Sequence, residues 1–220
     1  YFDAIIIVSP AGNISLDDIA VLAKLPIPVV FWDRDVCDVG ISMVCSDYYL
    51  GGAMAAEYLL KKGHRQLAIM IVEPASSSFT MRCRGFVEFA RMSGAEVEVI
   101  DISGKSWDFV NVYDRLSAYL EKNGINFTGF FASSSDCMLE VYKSFKKFNR
   151  SVPEDISVIV HDHLPQHEFL QPPVTSIQAP SIKMVEALAE NLPKLIAREI
   201  PLFQVRVTPE IIVRESVAEL

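Results

Sequence analysis

The chain has 220 residues, half of them apolar, and a formal net charge of −8. That length can bury a substantial core, and that apolar content excludes general disorder. Its acidity argues against this segment gripping nucleic acid through its own surface, which would need a basic stripe. The four cysteines (Cys37, Cys45, Cys83 and Cys137) have neither CxxC pairing nor metal-ligand spacing, so they read as reduced core thiols of a cytoplasmic protein. No apolar run approaches the roughly 20 residues of a membrane span.

The chain opens on Ala4–Val8, a short apolar run expected to be a buried strand, and it shows no signal peptide. A start in the middle of a fold leads us to expect a lost upstream segment. Further strands are predicted at Val29–Trp32, Met43–Cys45, Leu67–Val72, Val97–Ile102, Gly129–Ala132 and Ser157–Val160. Helical patterns lie between them at Leu16–Lys24, Tyr48–Lys62, Phe79–Met92, Phe109–Lys122 and Asp136–Phe148. This alternation predicts βαβ units and parallel sheets flanked by helices, an α/β fold. Ser46 or Asp47 is placed to cap the second helix, which should close at Gly63. A last helix is expected from Pro180 and Ser181, kinked at Pro193, followed by one extended run over Val205–Val213.

The stretch Val152-Pro-Glu-Asp-Ile-Ser-Val-Ile-Val-His-Asp-His163 carries the most functional information. A β-branched strand there ends on an acid, and open α/β sheets bind ligands beyond the carboxyl ends of their strands. Asp162 therefore stands where a small molecule would be gripped. His161, Asp162, His163 and His167 crowd together, with His161 and His163 expected on one strand face and Asp162 on the other. They lack the spaced partner that a metal site needs, so no metal is expected. There is no GxSxG elbow, no P-loop and no GxGxxG after the first strand, and neither enzymatic activity nor a cofactor is expected.

Eight segments in order then resemble one family. They are Ile27-Pro-Val-Val-Phe-Trp-Asp-Arg34; Asp47 with Gly51-Gly52; Tyr58-Leu-Leu-Lys-Lys-Gly-His-Arg65; Arg82-Cys-Arg-Gly-Phe86; Phe131-Ala-Ser-Ser-Ser-Asp136; Val152-Pro-Glu-Asp-Ile-Ser-Val-Ile159; Pro173-Val-Thr-Ser-Ile177; and Pro209-Glu-Ile-Ile-Val-Arg-Glu-Ser216. Together they resemble the effector-binding core of the lactose/galactose-repressor (LacI/GalR) transcription regulators, whose fold is like that of sugar-binding periplasmic proteins.

The resemblance implies a two-lobed, periplasmic-binding-protein-like (type I) α/β fold with an incomplete N-terminal lobe. Residues 1–45 and 179–203 would form that lobe, and 46–178 with 204–220 the C-terminal one. It implies a sugar or related small effector in an interlobe cleft, operator DNA read by a headpiece absent from this segment, allosteric control by a repressor, a homodimer, and no membrane. The ligand contacts it implies are Asp33, Ser78, Arg82, Trp107, Ser134 and Asp162. Ser134, Ser135 and Asp136 stay open as alternatives for one position. The family's glycine-aromatic-aspartate reads Val160-His161-Asp162 here, which alters the cleft floor. The competing reading is a periplasmic or extracellular sugar-binding protein of a transport system.

Overall fold

The computed structural model describes residues 2–8, 15–36, 40–72, 77–104 and 111–220. Strands and helices alternate in the order β1 (Ile5–Val8), α1 (Leu16–Leu22), β2 (Val29–Trp32), β3 (Ser42–Ser46), α2 (Tyr48–Lys61), β4 (Gln66–Ile71), α3 (Ser77–Met92) and β5 (Glu96–Asp101). There follow α4 (Val112–Asn123), β6 (Gly129–Ala132), α5 (Met138–Lys147), β7 (Ser157–His161), β8 (Thr175–Gln178), α6 (Ser181–Ile196), β9 (Gln204–Val207) and β10 (Glu210–Ile212). The chain divides into two units, residues 1–47, 75–78 and 179–209 in the first and residues 48–74, 79–178 and 210–220 in the second.

The first unit holds a parallel sheet in the order β1-β2-β3-β9. Its core is Val30 and Val44 from the strands, Met184 and Leu195 from α6, and Phe203. Helix α6 runs through Pro193 to Ile196 and ends in a backbone bond from the Ala197 amide to the Pro193 carbonyl. A proline lacks only its own N–H; its carbonyl still serves the next turn.

The second unit holds a six-stranded sheet in the order β10-β8-β7-β6-β4-β5, parallel except for β10 against β8. Strand alternation builds its two apolar layers. Leu67, Ile69, Phe131 and Ile159 join one layer with Ala55, Ala56, Leu59, Phe86 and Ala90 of α2 and α3. Ala68, Met70, Phe130, Val158 and Val160 join the other with Leu116, Leu120, Val141 and Phe145 of α4 and α5. Both faces are covered, which is why these strands read as continuous apolar runs rather than alternating ones.

The structure adds to or departs from the sequence reading at three places. The single extended run over Val205–Val213 is two strands, β9 in the first sheet and β10 in the second, broken at Thr208–Pro209. Strand β8, with its Thr175 and Ser176 buried, was hidden by polar residues behind two prolines. Their backbone and hydroxyls are satisfied from the chain end: the Thr175 amide donates to Ser216 Oγ, whose own hydroxyl donates to the Val158 carbonyl at 2.6 Å. Finally, Ser46 ends β3 with its hydroxyl buried and without a hydrogen-bond partner, so it does not cap α2.

Helices α2 and α3 touch backbone to backbone. A Cβ on Gly52 would drive into the Arg82 carbonyl, and one on Gly85 into the Tyr49 carbonyl. Neither neighbour can yield, because both are main-chain atoms within helices. Gly52→Ala and Gly85→Ala should therefore each cost about 3 kcal/mol, lowering the melting temperature by about 6–12 °C; unchanged melting of both variants would refute this close crossing.

The second unit also buries histidines in their neutral form. His64 bridges Thr128 Oγ1 at 2.9 Å and the Ala218 carbonyl at 3.3 Å, and burial holds its imidazole below the ordinary range. Burial does the same at His161 and His167. Unfolding returns each to the ordinary value of about 6.5, so below that pH the unfolded chain binds more protons. Stability should thus be full above about pH 6.5 and fall as the pH drops through the depressed folded values. Denaturant titrations from pH 7.5 to 5 check this, and His64→Asn should flatten part of the slope.

Candidate functional site

Asp33 and Asp162 occupy the same local structure in their respective units. Each follows the last residue of a strand, and each has a left-handed backbone, with φ of 56° and 69°. In each, the amide donates to the carbonyl of the next parallel strand: Asp33 to Val44 at 2.8 Å, Asp162 to Ile177 at 2.7 Å. Aspartate tolerates this region better than most residues because its short side chain bonds locally. Strained backbone positions of this kind cluster at functional sites. In the first unit, Arg206 makes a two-pronged ion pair with Asp35, at 2.7 and 3.1 Å, beside this turn. Burial and the nearby carboxylate of Asp35 push the thiol of Cys45 up to about 12, so it stays protonated.

In the second unit, two sequence-identified residues, Arg82 and Asp162, meet at the carboxyl ends of β6 and β7. Arg82, on α3, is nearly buried and donates from Nη1 to the Ser133 carbonyl at 2.9 Å. Its Nη2 donates to Asp162 Oδ2 at 3.3 Å. The guanidinium lies over the rings of Tyr48, 4.9 Å from the centroid, and Phe79, at 5.1 Å. Its Nε is buried with no hydrogen-bond partner. Aromatic faces hold the planar cation in place, and the fork bridges two strand ends. The Asp162 side chain keeps 38% of its surface exposed against 8% for Arg82, so the carboxylate is the accessible partner and the guanidinium its support.

Ser134 is buried in the turn after β6, with its hydroxyl 3.5 Å from Asp136 Oδ2. Ser135 is buried and Asp136 exposed. The Ser135 carbonyl accepts from His167 Nε2 at 2.9 Å, while His167 Nδ1 accepts from the Leu164 amide. The loop after Asp162 is thereby tied to the loop after β6. Ser78 is buried in the first turn of α3. Trp107 lies outside the described residues, as does Cys37; Cys45, Cys83 and Cys137 are unpaired thiols.

His161 and His163 do not share a strand face as expected, because the strand ends at His161 and Asp162 turns left-handed. His161 lies against Gly51, while His163 is 3.5 Å from Arg214 and edge-on to His167. Among the described residues, no group of three or more His, Cys, Asp or Glu is arranged to hold a metal. Sequence reasoning missed Tyr48 and Phe79, the two rings around Arg82. Their only signal was a tyrosine and a phenylalanine at the starts of the two helices that cross.

The family described as a periplasmic binding protein-like domain matches residues 56–217. The repressor PurR of Pasteurella multocida (strain Pm70) is 24% identical over 204 residues, covering 92% of this chain and 60% of its own length. This chain therefore spans less than two thirds of that relative. A LacI family transcriptional regulator from Enterococcus faecalis V583, solved with bound ribose, has a TM-score of 0.81 at 25% identity, covering 100% of this chain and 79% of that one. A periplasmic binding protein/LacI transcriptional regulator from Alkaliphilus metalliredigens QYMF, complexed with D-xylulofuranose, has a TM-score of 0.72 at 25% identity, covering 89% and 72%. The α/β architecture, the ordered motifs and these likenesses agree with the LacI/GalR resemblance, and the chain belongs to the periplasmic binding protein-like domain family.

Proposed function

We propose that this chain is the effector-binding part of a DNA-binding transcriptional regulator, and that it binds a small sugar or a close derivative at Asp162. The observation that carries this reading is the carboxylate itself: strand-terminal, left-handed, partly exposed, and held at one oxygen by a buried arginine. A carboxylate so placed accepts hydrogen bonds from adjacent hydroxyls without having to be ordered at the moment of binding. The relatives with bound ribose and D-xylulofuranose favour a pentose. Ser134 and Ser78 would add hydroxyl contacts, Asp33 would present the equivalent acid from the first unit, and Trp107 would cover a ring face.

On this reading the two units are the two lobes. Ligand would act by binding one arrangement of them better than another, a coupling of about 1–3 kcal/mol that alters operator affinity roughly 5–150-fold. Operator contact would come from a segment outside this sequence, with the protein working as a homodimer in the cytoplasm. Among the described residues, no helix is long and apolar enough to cross a membrane.

A thermal-shift panel of D-ribose, D-xylulose, hexoses and sugar phosphates tests the assignment. Ligand at 100 times Kd should add about 2.7 kcal/mol and raise the melting temperature by about 5–11 °C. Asp162→Asn keeps the left-handed turn and removes the charge, so affinity should fall at least about tenfold, and the melting temperature of the free protein should also drop because the buried Arg82 loses its counter-charge. Binding by no sugar, or equal binding by the asparagine variant, would refute the reading. Arg82→Lys keeps the charge but loses the fork; it should weaken ligand binding about tenfold, measured by calorimetry, because Ser133 and Asp162 can no longer be bridged together.

A further inference from the structure

His161 is fully buried, and both of its ring nitrogens lack a hydrogen-bond partner. An unsatisfied buried polar group is costly, so a native structure that keeps one has a use for it. The two nitrogens meet different surroundings. Nε2 lies against α2, where a Cβ on Gly51 would come within 3.1 Å of it and within 3.3 Å of the Ile177 methyl. Nδ1 stands 3.1 Å from Asp162 Oδ2, close in distance but out of line for a hydrogen bond. That is the same carboxylate oxygen that Arg82 Nη2 approaches at 3.3 Å.

We propose that His161 is a positioning residue for Asp162: it carries its ring proton on Nδ1 and turns it to Asp162 Oδ2, so that imidazole and guanidinium together fix the carboxylate that grips the ligand. This rests on the proposed function, which it deepens by naming what orients the gripping group. The proton belongs on Nδ1 because that side faces the Asp162 carboxylate at 3.1 Å, whereas Nε2 lies against a helix glycine and near a methyl. A partly exposed carboxylate can rotate the small amount needed to bring Oδ2 into line.

The described neighbours of the ring agree. Burial and the Arg82 guanidinium hold the imidazole below the ordinary histidine range, against the opposing pull of Asp162. Tyr48, whose ring centroid is 6.1 Å away, Gly51 and Ile177 bring no charge near it. A second cation beside Arg82 is thereby avoided, and one neutral donor is kept for Asp162.

The test uses the 220-residue chain with 15N-labelled histidine, of which there are four, the His161 signals being assigned by their loss in His161→Phe. At pH 7 the His161 signals should show a bonded proton on Nδ1 and a bare Nε2. Asp162→Asn should lower the pH at which His161 titrates and leave His64 unmoved. A proton on Nε2, or a His161 titration indifferent to Asp162→Asn, overturns the proposal. For the first sugar that binds, beginning with D-ribose, His161→Phe should weaken affinity about tenfold, the loss of one hydrogen bond to a charged group. His161→Asn, whose amide nitrogen lies where Nδ1 does, should restore affinity to within about threefold, whereas His161→Gln should not. Full affinity in His161→Phe would also overturn it. If no sugar binds the unaltered chain, the proposed function fails while the histidine spectra still decide the role of His161.

Discussion

Contact between α2 and α3 without intervening side chains is the constraint from which the second unit's candidate site follows. Gly52 admits the carbonyl of Arg82, and Gly85 admits the carbonyl of Tyr49. Main-chain atoms meeting at this distance leave little freedom of register, since a slip of one residue would put a side chain into the crossing. With the register pinned, the guanidinium of Arg82 lands over Tyr48 from the partner helix and Phe79 from its own. It then reaches the ends of β6 and β7 together. One residue earlier on α2, Gly51 leaves the space that the His161 ring fills. Three glycines thus decide where a buried cation and a buried imidazole stand.

The charges are arranged so that one group stays partly exposed. Arg82 is enclosed by two rings and Ser133, and His161 by α2 and β8; Asp162 alone of the three keeps substantial exposure. Truncating a partner in such a set leaves a charge buried without compensation, which makes the cluster intolerant of change and specific in geometry. The left-handed turn at Asp162 adds to this, because its amide is already committed to Ile177. In the first unit Asp33 repeats that turn against Val44, so each unit offers a strand-terminal acid prepared in the same way.

Local order outside the site is arranged from the chain's end. Ser216 satisfies both the Thr175 amide and the Val158 carbonyl, Arg214 binds the Val174 carbonyl and Ser176, and the Leu220 amide bonds to Lys62. These contacts explain why polar residues sit inside a short strand such as β8 without loss: their partners come from some 40 residues later. They also explain why β8 was overlooked, since partners so distant leave no trace in local apolar periodicity.

The sequence by itself determined the α/β class, the positions of most strands and helices, and the acid at the end of β7. Those features are written in short-range terms: apolar runs of strand length, stop residues such as Gly63, and an aspartate after a β-branched run. Motif order also pointed to Arg82, Gly51, Gly52 and Gly85. Tertiary structure decided the rest. It divided the last extended run between two sheets, because pairing partners for β9 and β10 lie far apart in the chain. It separated His161 from His163, because a positive φ at Asp162 ends the alternation that period-two reasoning assumes. It gave Gly51, Gly52 and Gly85 their meaning, since a glycine's use is the atom that takes the place of its missing side chain, and that atom belongs to another helix or strand.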